Sequence, residues 1–145
     1  CTMFIDLNKF DNKNLFDENF FLFFEEFDLC RRVLNKGGKI FASKNLYVKH
    51  LGHKGSVAVD PKYEKESVFL RSWHWMWSSF YYYEKNFSYF YALKCMYGKF
   101  FRSIIKMIFY RIFYNSIKFK MYHGRVSGIW NRLIGRKSWY RLKIN

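Results

Sequence analysis

From Lys85 to Asn145 the chain carries 14 Lys and Arg and no Asp or Glu, while all eleven acids lie between Asp6 and Glu84. The net charge of +15 therefore sits almost entirely in the last 61 residues, and the first 84 are nearly neutral. A split of this kind divides the chain by task. The neutral part can build an ordinary fold around a site. The basic part is suited to phosphate, on nucleic acid or on anionic lipid.

The 145 residues suffice for about one domain. Aromatic residues make up 24% of them, with 18 Phe, 12 Tyr and 5 Trp. That exceeds the need of a soluble core of this size, so some rings are expected to face a membrane or a partner. Cys1, Cys30 and Cys95 are odd in number and widely spaced, which argues against a disulfide framework or zinc ribbon and fits a reducing cytosol. A signal peptide is not expected from the opening residues. Cys1-Thr-Met-Phe-Ile has no initiator Met and resembles the middle of a strand, so the chain is expected to be a fragment. No run of about 18 uncharged residues is present, and a membrane-crossing helix is not expected.

Patterning predicts the following order of elements. Residues 1–10 alternate weakly and suggest a strand. Asp11 to Asn14 is a turn signal. After the aromatic run Phe16 to Phe24, a helix begins near Glu25 and ends at Gly37-Gly38. Glu25, Glu26 and Asp28 fill its first turn, where carboxylates suit the positive end of the helix dipole. Leu29, Val33 and Leu34 give it a buried stripe, and Asp28 and Arg32 sit at i, i+4 and can pair. KIFAS and NLYVKH suggest two short strands, followed by the Gly-rich loop HLGHKGS. From Val68 the pattern becomes helical and continues to about Tyr122. Phe101, Ile104, Ile105, Ile108 and Ile112 share one face there, with Lys99, Arg102 and Lys106 on another. Gly124, Gly128 and Gly135 punctuate what looks like a loose basic tail. The expected division is residues 1–62 and residues 63–145.

Clustered carboxylates can supply a general base, because neighbouring negative charge raises one of their pKa values. A charged helix N-terminus on a solvated face explains the same cluster, and the charges alone favour that explanation. The flanking residues add an ordered set: Phe16-Asp17-Glu18 with the aromatics Phe20 to Phe24; Glu25-Glu26-x-Asp28-Leu29-x-x-Arg32; a Gly turn; then a strand ending at His50 with Gly52, Gly55 and Ser56 after it. With that spacing, residues 1–56 resemble the second half of the catalytic domain of bacterial, rhamnosyltransferase-like family 2 glycosyltransferases. RSWHWMWSSFYYYEKN also looks like the helix that follows that domain.

The resemblance implies an α/β architecture, an incomplete Rossmann-like GT-A domain followed by a basic, aromatic-rich helical extension. It implies inverting transfer of a sugar from a nucleotide-sugar donor to a glycan or lipid-linked acceptor, commonly in cell-surface polysaccharide synthesis. Glu26 would deprotonate the acceptor hydroxyl, where the family more often has Asp. Glu25 and Asp28 would position the helix and the acceptor. His50 matches the place from which relatives reach a divalent metal, Mn²⁺ or Mg²⁺, or the diphosphate; a loop His bonded to backbone remains the alternative, and His53 could replace it. His74 and His123 are expected to be structural. The nucleotide pocket and the Asp-x-Asp motif belong to the family's other half, so this chain alone is expected to be inactive. The resemblance places the enzyme on the cytoplasmic side, peripheral on the inner face of the cell membrane. For residues 85–145 three readings stand: an anionic membrane surface, a helical cap, or single-stranded nucleic acid bound by stacking and phosphate contacts. A non-enzymatic basic module is the rival to the enzyme as a whole.

Overall fold

The structure, a computed structural model, describes residues 3–9, 15–49 and 61–141. Four helices are present among the described residues: α1 (Glu25–Asn35), α2 (Glu64–Asn86), α3 (Tyr89–Ile112) and α4 (Ser116–Leu133), with 3₁₀ turns at Leu7–Lys9 and Pro61–Tyr63. Among the described residues there is no strand. The fold is all-helical, which overturns the expected α/β, Rossmann-like GT-A arrangement. The two strands expected in residues 39–49 are irregular chain, and Ile40, Phe41, Leu46, Tyr47 and Val48 are all exposed. Apolar alternation makes a strand only where a partner edge takes up its backbone groups, and none of the described residues offers one. The strand expected at residues 1–10 is not formed over 3–9. The turn at Asp11 to Asn14 and the loop at 50–56 lie outside the described residues.

α1 begins at Glu25 and its backbone reverses at Gly37, which takes a positive φ of 76°. α2 contains neither Gly nor Pro, follows Pro61 in the preceding turn, and has Glu64 and Glu66 in its first turn. Only Phe87 and Ser88 separate it from α3. The Ser88 side chain caps that helix by accepting from the Tyr91 N–H at 3.1 Å. Asn115 does the same for α4, accepting from the Lys118 N–H at 3.0 Å. Two short connections thus make α2, α3 and α4 an up-down-up set. Met76, Phe80, Ala92, Met96 and Ile129 form the core between them.

The glycines expected to loosen the C-terminal region instead tighten it. Gly124 and Gly128 are buried on α4, four residues apart and so on one face. A Cβ at Gly124 would lie 2.6 Å from the Phe69 carbonyl oxygen, and one at Gly128 would collide with the Trp73 carbonyl oxygen. Absent side chains let the α4 backbone touch the α2 backbone. α4 ends at Leu133, and Gly135 just beyond it, with a φ of 73°, allows the Arg136 N–H to return to the Asn131 carbonyl at 2.9 Å. The chain beyond it folds back on α2. Trp77 Nε1 donates to the Arg136 carbonyl at 2.9 Å, and His74 Nε2 lies 2.8 Å from the Tyr140 carbonyl.

His74 is fully buried, as its expected structural role requires. With Nε2–H donating to Tyr140, Nδ1 is left to accept from the Ser138 hydroxyl at 3.2 Å. Burial lowers its pKa from 6.5 to about 4; the Tyr140 bond opposes the shift and the Arg141 charge adds to it.

Gly128→Ala is expected to lose about 1–3 kcal/mol of stability by overpacking. Gly98→Ala, with open space around its Cβ position, should gain about 0.5–1 kcal/mol from helix propensity. Chemical denaturation of both variants checks the contrast. A pKa depressed on folding contributes stability above pH 6.5 that is lost as pH falls toward about 4. The melting temperature should therefore fall across that window, and His74→Gln should flatten the fall.

Candidate active site

α1 starts in an unusual way. Its cap residue Phe24 makes no side-chain capping bond, and both Phe23 and Phe24 are left-handed, with φ of 67° and 70°. Each such residue costs about 1–3 kcal/mol and persists only where surrounding packing dictates it. Here the packing comes from α2. Phe23 and Phe24 set their rings 5.2 and 5.4 Å from that of Trp75, and Phe24 also meets Tyr82 at 5.5 Å. One residue earlier, the Ser78 hydroxyl donates to the Leu22 carbonyl at 2.8 Å. Such strain collects at functional sites, and the residues that follow it are Glu25 and Glu26.

Glu25 and Glu26 are half-buried, and Oε2 of each is out of contact with solvent and without a hydrogen-bond partner among the described residues. Burial raises the Glu25 pKa; its own backbone N–H opposes the shift, and the charge and carboxyl of Glu26 add to it. A carboxylate held in this way binds a proton more strongly than one in water, which is what a general base needs. The N-terminus of α1, immediately beside them, keeps the anionic form attainable.

Asp28 is in a different situation. It is fully buried, yet Arg32 Nε lies 2.9 Å from its Oδ2 and Lys85 Nζ lies 2.8 Å from the same oxygen. The Arg32 pairing was legible at i, i+4; the Lys85 pairing comes from the far end of α2. Lys85 also reaches Asp17 at 2.8 Å. Asp17 further accepts from the Tyr81 hydroxyl at 2.9 Å and from the Asn19 backbone and side chain. Burial alone would raise the Asp17 carboxyl, but these donors, Lys85 foremost, hold it at about 2. Tyr81 moves the other way, to about 12, through burial and then through its bond to Asp17. Arg32 completes the knot by donating to the Leu15 carbonyl. Asp28, Asp17, Lys85 and Tyr81 therefore clamp α1 and the preceding loop onto α2. An open recess of about 370 Å³ lies over this knot, lined by Phe16, Asp17, Glu18, Asn19, Arg32 and Lys85.

The acidic cluster thus separates into two parts. Asp28 is neutralised and positions the helix. Glu25 and Glu26 have no ion-pair partner among the described residues. His50 and His53, the candidate metal or diphosphate contacts, lie outside the described residues. Among those described, no three His, Cys, Asp or Glu side chains group to hold a metal ion. Lys85 and Tyr81 could have been found only through their position at the end of the aromatic helix, a signal that names no partner.

Asp28→Asn should cost about 2–3 kcal/mol by denaturation, because it leaves Lys85 and Arg32 with an uncharged partner. Glu25→Gln and Glu26→Gln should leave stability unchanged or raise it, since neither carboxylate has a cation to lose among the described residues. Comparison of the chain with models of protein families, with curated proteins and with solved structures finds no match to any of them.

Proposed function

We propose that the chain contributes the acceptor side of an inverting sugar transferase that takes a nucleotide-sugar donor and works at a membrane surface. The observation that carries this reading is the Glu25–Glu26 pair, half-buried and free of cations among the described residues, set behind two strained phenylalanines. In the proposed step a Glu26 carboxylate oxygen accepts the proton of an acceptor hydroxyl. The oxygen of the acceptor hydroxyl attacks the anomeric carbon in line, the bond from that carbon to the nucleoside diphosphate breaks, and the configuration inverts. Glu25, its pKa raised by burial and by the neighbouring Glu26, sits beside the base on the same helix turn. Glu at this position reaches one methylene further than the Asp usual in the family. The Asp28–Lys85–Asp17 knot fixes the helix that carries the pair, as pre-organisation of a base requires.

Of the described residues, no helix is long and apolar enough to cross a membrane. A surface attachment through the basic helices, on the cytoplasmic face, belongs to this reading, with a glycan or lipid-linked acceptor. The reading requires a nucleotide-binding half joined to this one, and a divalent ion, Mn²⁺ or Mg²⁺, would there offset charge on the leaving diphosphate.

Two measurements test it. The reading frame upstream should encode a nucleotide-binding segment with an Asp-x-Asp motif; a frame without one contradicts the proposal. In the protein expressed from the whole frame, Glu26→Gln should lower transfer by about 10²–10⁴-fold with donor affinity unchanged. Normal turnover in that variant removes Glu26 as the base.

A further inference from the structure

The apolar spacing on α3 marks the face that points away from the protein. At 100° per residue, Phe90, Tyr97, Phe101, Ile105, Ile108 and Ile112 form one stripe along the helix, and all six are exposed. Ala92, Met96 and Ser103, on the opposite side, are the residues buried against α2 and α4. The stripe is about 33 Å long at 1.5 Å per residue. A contiguous apolar surface of this kind on a helix marks a contact with something apolar.

Charge identifies the contact. Lys94 lies within the stripe and Arg102 beside it, both exposed, while Lys99 and Lys106 lie on the side turned toward α2 and α4, Lys99 over the Tyr83 ring and Lys106 on the Tyr122 hydroxyl. No acid occurs anywhere after Glu84. A second copy meeting α3 through this face would set like charges against each other with no carboxylate to separate them. Bases of a single-stranded nucleic acid stack on rings, yet the middle and end of the stripe are isoleucines. Aliphatic side chains flanked by cations match hydrocarbon beneath an anionic headgroup layer. The stripe also borders an apolar cavity of about 300 Å³ between the helices, which has Lys94 and Tyr97 at its edge and Leu93, Phe100 and Leu133 in its wall.

We infer that α3 lies flat in an anionic bilayer surface, with Phe101, Ile105, Ile108 and Ile112 in the hydrocarbon, Lys94 and Arg102 at the phosphates, and the adjoining cavity open to one lipid chain. The inference rests on the membrane-facing part of the proposed reading. Its test uses neither donor nor transfer, so the two can fail separately.

The test is flotation of the chain at physiological salt with vesicles of one part phosphatidylglycerol to two parts phosphatidylcholine, against phosphatidylcholine alone. The chain should float with the anionic vesicles and far less with the neutral ones. The exposed pair Ile105→Ser and Ile108→Ser should together weaken partitioning about tenfold with no change in melting temperature. Ile108→Trp should be quenched by brominated acyl chains beyond the quenching of the parent. Lys94→Ser with Arg102→Ser should weaken binding and reduce its salt dependence. Failure to float, flotation untouched by the isoleucine changes, or tighter binding to a single-stranded oligonucleotide than to anionic vesicles would each overturn the inference.

Discussion

Between Trp73 and Phe80 every residue of α2 except Trp75 is buried, and the rest of the structure follows from that burial. A helix covered on all sides must have its polar side chains satisfied by whatever covers it. His74 draws the C-terminal segment onto it through Ser138 and Tyr140. Ser78 fixes the loop before α1 through the Leu22 carbonyl. Ser79 bonds back to the Trp75 carbonyl at 2.6 Å. On the remaining side α4 approaches so closely that Gly124 and Gly128 cannot carry a side chain. Three chain segments distant in sequence are placed by one helix.

That placement explains how the candidate site is built. α1 has little surface of its own to bury; Asp28 and Leu29 are its only fully covered residues. It is held by rings on Trp75 and Tyr82 and by Asp28 on Lys85, all of them on α2. Because rings and ions fix the approach at two ends, the intervening backbone at Phe23 and Phe24 is driven into the left-handed region. Glu25 and Glu26 follow directly, half-buried and without a compensating cation among the described residues.

Much of this was legible in the sequence where local chemistry decides it. The start of α1 at Glu25, its reversal at the Gly pair and the Asp28–Arg32 pairing depend on neighbours within a turn or two. The structural role of His74 was also foreseeable from its aromatic surroundings. Where distant partners decide, the reading went astray. KIFAS and NLYVKH have the composition of strands but no strand partner among the described residues. Gly124 and Gly128 look like loop punctuation among bases; their spacing of four is equally a packing signature, and only the presence of α2 settles which. The three carboxylates formed one cluster on paper, and Lys85, nearly sixty residues away, divides them. Phe101, Ile105, Ile108 and Ile112 of the expected α3 face do lie on its outward stripe, while Ile104 is half-buried; periodicity alone does not say which side of a helix is covered.

Asp17 and Asp28 are spent on holding α1 and its loop to α2, while Glu25 and Glu26 are left without a cation among the described residues. A carboxyl ¹³C NMR titration of the folded chain tests this division most directly. Glu25 should titrate above its ordinary value of 4.5, and Asp17 at about 2. Glu25 titrating at or below 4.5, with Asp17 at its ordinary 3.8, would contradict it.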